Sequence, residues 1–214
     1  MIDEARAILN YLPISRSKIE NDYIDYLWGA MCAIDEGEKD VQGFALLPFH
    51  LLFLLVIQCK ILRIAQECVE RYTLSITLKN PKNGEEGILT PKSPFTLAFF
   101  GESELADLCK VIGLEKEGVN RIKKLVRYRN SNLAHASGYT ELYPEKKVVE
   151  YISAIEELQE KMTPLNEAIA RRWLTEFAPE DRQNLKEFVE VRLPDTYLSI
   201  ADFECGLLKV HFSN

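Results

Sequence analysis

Residues 44–57 read FALLPFHLLFLLVI, fourteen positions at which only Pro48 and His50 interrupt an apolar run. Gln58, Lys60 and Arg63 follow at once, and a membrane span needs about 20 apolar residues, so the stretch reads as a buried helix rather than an anchor. Proline is well placed in a first helical turn, which starts the helix near Pro48 and carries it to about Tyr72. Beyond the run the pattern turns amphipathic through Ile61, Leu62, Ala65 and Val69. A helix apolar on every side belongs in the middle of a bundle.

Outward from this centre the periodicity stays helical. Ile19, Tyr23, Tyr26, Leu27, Ala30 and Ile34 recur at steps of three and four, with Ser15 or Ser17 as the cap. Trp28, Tyr23 and Tyr26 read as core aromatics. Leu74, Ile76 and Leu78 alternate with polar residues before Pro81, Gly84, Gly87, Pro91 and Pro94, predicting an irregular loop or short hairpin around 73–95. Helices are expected at 102–112, 117–136 and 144–162. Pro164 is expected to end the last of these, with two short helices after it, about 165–176 and 180–191, and an apolar tail of strand or helix character. The predicted fold is all-α: a helical bundle over 1–163, with 164–214 as a C-terminal helical extension packed on it.

The 214 residues are 47% hydrophobic and 28% charged, which suits one packed domain. A net charge of -7 argues against a surface that coats nucleic acid throughout, while leaving room for a local basic site. The five cysteines (32, 59, 68, 109 and 205) form no C-x-x-C pair, and the plain reading is reduced thiols in a cytosol. MIDEARAILNYLP lacks the basic segment and apolar run of a signal peptide. A cytoplasmic location with no membrane association is the expectation.

Histidines stand only at 50, 135 and 211, and no H-E-x-x-H, Cys/His cluster or EF-hand loop is present. Walker A, G-x-G-x-x-G and G-x-S-x-G patterns are also missing. Metalloproteases, P-loop NTPases, Rossmann enzymes and α/β-hydrolases are therefore not expected, and neither a metal nor a cofactor is implied.

The segment with chemical content is KEGVNRIKKLVRYRNSNLAH, residues 116–135. Between Lys116 and Arg129 it carries six cations and one acid, Glu117, which is +5 within a chain of net -7. Val119, Ile122, Leu125 and Val126 form its buried face. The bland reading of such a run is a solvated helix face. Here the run leads directly into Arg129, Asn130 and, after four more residues, His135.

Arg129-Asn130-x4-His135 resembles the R-x4-6-H motif of HEPN domains, all-helical dimeric modules of which many are RNA-cleaving toxins or phage-defence effectors. The resemblance covers roughly residues 15–163. It extends to the apolar second helix, the insertion after it and the amphipathic helix that follows the motif. It implies a metal-independent endoribonuclease in which Arg129, Asn130 and His135 are catalytic, and a homodimer that brings two motif helices to a composite site. A separately encoded antitoxin or regulatory protein is the implied partner. Some toxins of the family carry a tyrosine two residues after the histidine, where this chain has Ser137; Tyr139 is four residues on, so control through that tyrosine is not carried over.

The residue chemistry agrees with that resemblance. Cleavage by the 2′-hydroxyl needs a proton acceptor, a proton donor and positive charge at the phosphorane. Histidine titrates near neutrality and serves in either proton role, and arginine presents a fixed fork to phosphate oxygens. Lys123, Lys124 and Arg127 are the candidate RNA-binding cations. Ser131 and Asn132, four and three positions before His135, are its candidate supports. Six positions separate Arg129 from His135, about 120° apart on a regular helix, so a second copy is needed to complete one cleft. The competing readings are a catalytically inactive HEPN-type module for RNA or nucleotide binding or for dimerisation, and an unrelated helical adaptor with Arg129 and His135 as ordinary helix-end residues. His50 reads as a hydrogen-bonded core histidine and His211 as incidental.

Overall fold

The computed structural model describes residues 1–77, 86–134, 144–176, 191, 193 and 196–206. Its helices are α1 (Ile2–Ala5), α2 (Lys18–Asp35), α3 (Leu46–Glu67), α4 (Val69–Thr77), α5 (Glu86–Leu89), α6 (Glu102–Leu108), α7 (Lys116–Arg129), α8 (Pro144–Glu176) and α9 (Ile200–Gly206). Short 3₁₀ segments join several of them, and among the described residues extended pairing is confined to one bridge between Pro13 and Ser199. The architecture is an all-α bundle.

The apolar run forms the centre of that bundle. Every residue from Leu52 to Ala65 is buried, as a helix surrounded by others requires. Helix α3 packs against α2, α4 and α8, and meets α6 and α7 at the other side. Residues 42–67 are the one described stretch long and apolar enough to cross a membrane, and 89% of its window is buried inside the bundle. The helix begins at Leu46, two residues before Pro48, and ends at Glu67 rather than near Tyr72.

Ser17 caps α2: its Oγ accepts from Glu20 N at 3.3 Å, and Glu20 Oε2 accepts from Ser17 N at 2.8 Å. The capping box satisfies two amides at the helix start. Glu20 Oε1 also accepts from the Tyr197 hydroxyl at 3.0 Å, so Glu20, Ile24, Leu27 and Met31 form the inward face. Ile19 and Tyr26 are consequently more than two-thirds exposed, and Tyr26 is not a core aromatic. Tyr23 and Trp28 are half-buried, Tyr23 edge-on to Phe95.

The predicted hairpin is corrected where it is described. Residues 73–77 belong to α4, with Tyr72 and Ile76, one turn apart, buried and Leu74 exposed. The Tyr72 hydroxyl donates to the Ile88 carbonyl at 2.7 Å, tying α4 to α5. A step of two and a step of four share every second position, and burial of Tyr72 selects the helical option. Residues 78–85, with Asn83-Gly84, lie outside the described residues.

Pro164 does not end a helix. Helix α8 runs unbroken from Pro144 to Glu176, so the expected junction between 163 and 164 and the separate helix at 165–176 fall inside it. An interior proline costs about 3 kcal/mol. Burial of Ile155, Leu158, Met162, Asn166, Ile169 and Trp173 along one continuous face offsets that cost. Of the expected helix at 180–191, all but residue 191 lies outside the described residues. In the tail, residues 196–199 are non-helical and α9 follows, packing on α8 with Ser199 and Asp202 capping it reciprocally.

Candidate active site

Helix α7 is amphipathic, with Val119, Ile122, Leu125 and Val126 buried against α6, α8 and α3. The chain covers this apolar face itself, without a second copy. At its start Gly118 allows a close approach. A Cβ there would stand 2.5 Å from Glu157 Oε1 and 2.6 Å from Leu114 Cδ1. The preceding Gly113, at φ 103°, makes the left-handed turn that reverses the chain into α7.

The candidate cations divide between two faces. Lys124 and Arg127 are exposed, with no acidic partner among the described residues, whereas Lys123 Nζ lies 2.7 Å from Asp107 Oδ2. Arg129 stands between about 120° and 160° round the helix from these three. Its side chain is only 17% exposed and pairs with Glu102, the first residue of α6. The candidate RNA-binding cations and the candidate catalytic arginine therefore do not converge on one patch within this chain.

After Arg129 the α-helix widens into a π-turn over Asn130–Ala134. Such turns insert a residue into the helical ladder and recur at functional positions. Asn130 is half-buried and Ser131 exposed, and the Asn132 amide donates to the Tyr128 carbonyl at 2.9 Å. His135, Ser137 and Tyr139 lie outside the described residues, as does His211. Beside the turn, Lys147 Nζ sits 4.5 Å from the centroid of the half-buried Tyr128 ring.

The sequence reading missed a polar chain that meets Arg129 from within the bundle. Glu102 Oε1 engages Arg129, while Glu102 Oε2 lies 3.3 Å from His50 Nε2. His50 Nδ1 is 2.8 Å from the Tyr151 hydroxyl, and both side chains are fully buried. Burial, assisted by the nearby Arg129 charge, brings the His50 pKa down to about 3, so the ring is neutral. Burial pushes the Tyr151 phenol up, so it keeps its proton. His50 is a hydrogen-bonded core histidine, and it is also the second neighbour of Arg129. Separations of 52 and 101 residues leave no local sequence signal for these contacts.

A second buried network lies farther along α3. Lys60 and Arg63 are buried there with Gln159, Asn166 and Asp202. Among the described residues no group of three or more His, Cys, Asp or Glu side chains could hold a metal ion. Comparison with protein families, with curated proteins and with solved structures finds no match to this chain.

Proposed function

We propose that the chain is a HEPN-type endoribonuclease, a cytoplasmic toxin or phage-defence effector that cleaves RNA by attack of its own 2′-hydroxyl. The observation that carries the reading is the position of Arg129-Asn130-x4-His135 in an all-helical chain: the motif straddles the end of α7, where the helix opens into a π-turn. Arg129 supplies charge for the phosphorane, and His135 moves the proton. Asn130 stands beside Arg129 to orient it or the phosphate. Lys124 and Arg127 hold the RNA backbone, with Lys123 drawn partly away by Asp107. The chemistry asks nothing of a metal, since the 2′-hydroxyl is the nucleophile and the protein supplies charge and proton transfer.

In this reading a two-fold dimer joins two motif helices and places the exposed stripe of one copy near the arginine of the other. That arrangement answers the separation of the two faces on one α7. A separately encoded antitoxin or regulator would restrain the nuclease.

A second reading, an inactive module that binds RNA or nucleotide or only dimerises, is favoured by one fact: Arg129 is already occupied by Glu102. Expression of the wild type and of His135→Ala separates the two. Growth arrest by the wild type that is lost in the variant, together with RNA cleavage by purified protein, supports the nuclease. Absence of cleavage by purified wild type, alone and as a dimer verified by light scattering, favours the inactive module.

A further inference from the structure

We propose that Glu102 is the positioning residue of Arg129, and that His50 and Tyr151 hold Glu102 in turn. Its activity arm rests on the nuclease reading; its spectroscopic arm does not.

Four helices contribute one residue each to the chain: His50 from α3, Glu102 from α6, Arg129 from α7 and Tyr151 from α8. The direction of its hydrogen bonds follows from protonation. Tyr151 carries a proton and donates it to His50 Nδ1 at 2.8 Å. The neutral ring then bears its proton on Nε2 and donates to Glu102 Oε2 at 3.3 Å. The Tyr151 hydroxyl also lies 3.3 Å from the Leu125 carbonyl, one turn before Arg129. One hydroxyl proton cannot serve both acceptors, and the shorter contact takes it. Glu102 is left with Oε1 for the guanidinium.

Arg129 differs from the enclosed Arg63 in its reach to the surface: each has a buried Nε with no hydrogen-bond partner among the described residues, but the Arg63 side chain is 1% exposed and that of Arg129 17%. Nη2 of the fork is clamped from inside, while the side chain as a whole keeps some exposure. A clamped guanidinium offers a phosphate a single orientation without a rotamer search, which is what stabilising a developing charge requires. The carboxylate is therefore expected to act on turnover more than on binding.

The test uses full-length protein, with thermal melts confirming that each variant is folded. Wild type and His135→Ala, assayed on RNA, report on the nuclease reading. For Glu102→Gln the expected result is a kcat lower by at least about tenfold with KM unchanged or reduced, and for Glu102→Asp a partial return of kcat, since charge is kept and reach is shortened. In protein labelled with ¹⁵N-arginine, Arg129 should show slow guanidinium rotation that Glu102→Gln abolishes. Cleaving wild type with a kcat in Glu102→Gln within twofold of it overturns the proposal while the nuclease reading stands. So does a kcat that rises with tighter RNA binding, because Glu102 would then be a competitor of phosphate. An Arg129 signal that is mobile in wild type, or unchanged in Glu102→Gln, also overturns it. A wild type that cuts no RNA but shows an immobilised Arg129 freed by Glu102→Gln removes the nuclease reading and retains the positioning role.

Discussion

Asp202 Oδ2 lies 2.8 Å from Arg63 Nη1, joining α9 to the C-terminal part of α3. Its carboxylate also accepts from Gln159 and Asn166, each at 2.9 Å, and from the Ser199 amide and hydroxyl at 2.9 and 2.7 Å. Burial alone would raise the Asp202 pKa. Lys60, Arg63 and the Ser199 hydrogen bonds outweigh burial and hold it well below the usual carboxylate range.

Replacing Asp202 should therefore strip two buried cations of their counter-charge. Asp202→Asn is expected to cost about 3–5 kcal/mol, as removal of one partner from a buried ion pair does. The wild type holds this contribution above the unfolded-state value near pH 4 and loses it as pH falls further. Urea unfolding at pH 7 and pH 3 checks both parts: the gap between wild type and variant should be wide at pH 7 and smaller by about 1 kcal/mol at pH 3. A gap below about 1 kcal/mol at pH 7 would show that the cations are relieved by other means.

His50 predicts a separate pH window. Its folded pKa, about 3, lies below the ordinary 6.5, so the unfolded chain takes up the proton first. Stability is complete above about pH 6.5 and should fall by roughly 1.4 kcal/mol per pH unit well below that, toward pH 3. In His50→Gln, which keeps a donor toward Glu102, the slope between pH 6 and pH 4.5 should be shallower by about one proton. Equal slopes in the two proteins would remove His50 as the source.

Salt dependence should distinguish the three cations of the exposed stripe. Each phosphate contact contributes roughly 0.7 to 0.9 to the slope of log affinity against log salt. Lys124→Ala and Arg127→Ala should each flatten the slope by about that amount. Lys123→Ala should do less, because Asp107 already neutralises its charge at 2.7 Å. Binding of a labelled RNA across a salt series reads this directly. No change in any of the three places the RNA surface elsewhere.

Product chemistry tests the proposed nuclease. Cleavage should survive chelator and leave a 2′,3′-cyclic phosphate or its 3′-phosphate, with a 5′-hydroxyl on the other fragment. DNA should remain intact, since it lacks the internal nucleophile. His135→Ala should abolish turnover and largely spare binding. Arg129→Ala should impair turnover strongly and binding less, and Arg129→Lys should not restore full activity, because a point charge does not reproduce the fork. Chelator-sensitive cleavage leaving 5′-phosphate ends would indicate a metal nuclease instead.

What the sequence determined by itself was local. The all-round apolar run from Phe44 to Ile57 sufficed for an all-α bundle with a central helix, because a helix with no polar face has nowhere else to go. A serine cap at Ser15 or Ser17, of which the structure uses Ser17, and the amphipathic helix before Arg129 were legible because both depend on residues within one or two turns. Tertiary structure decided what spacing could not. It carried α8 through Pro164, since the burial of a long face outweighed one lost hydrogen bond. It drew residues 73–77 into a helix, because burial of Tyr72 and Ile76 selected one of two periods that fit equally well. It paired Arg129 with Glu102 and joined that pair to His50 and Tyr151 across as many as 101 residues of chain. Partners that distant meet only when helices pack, and packing depends on the whole apolar surface rather than on any motif.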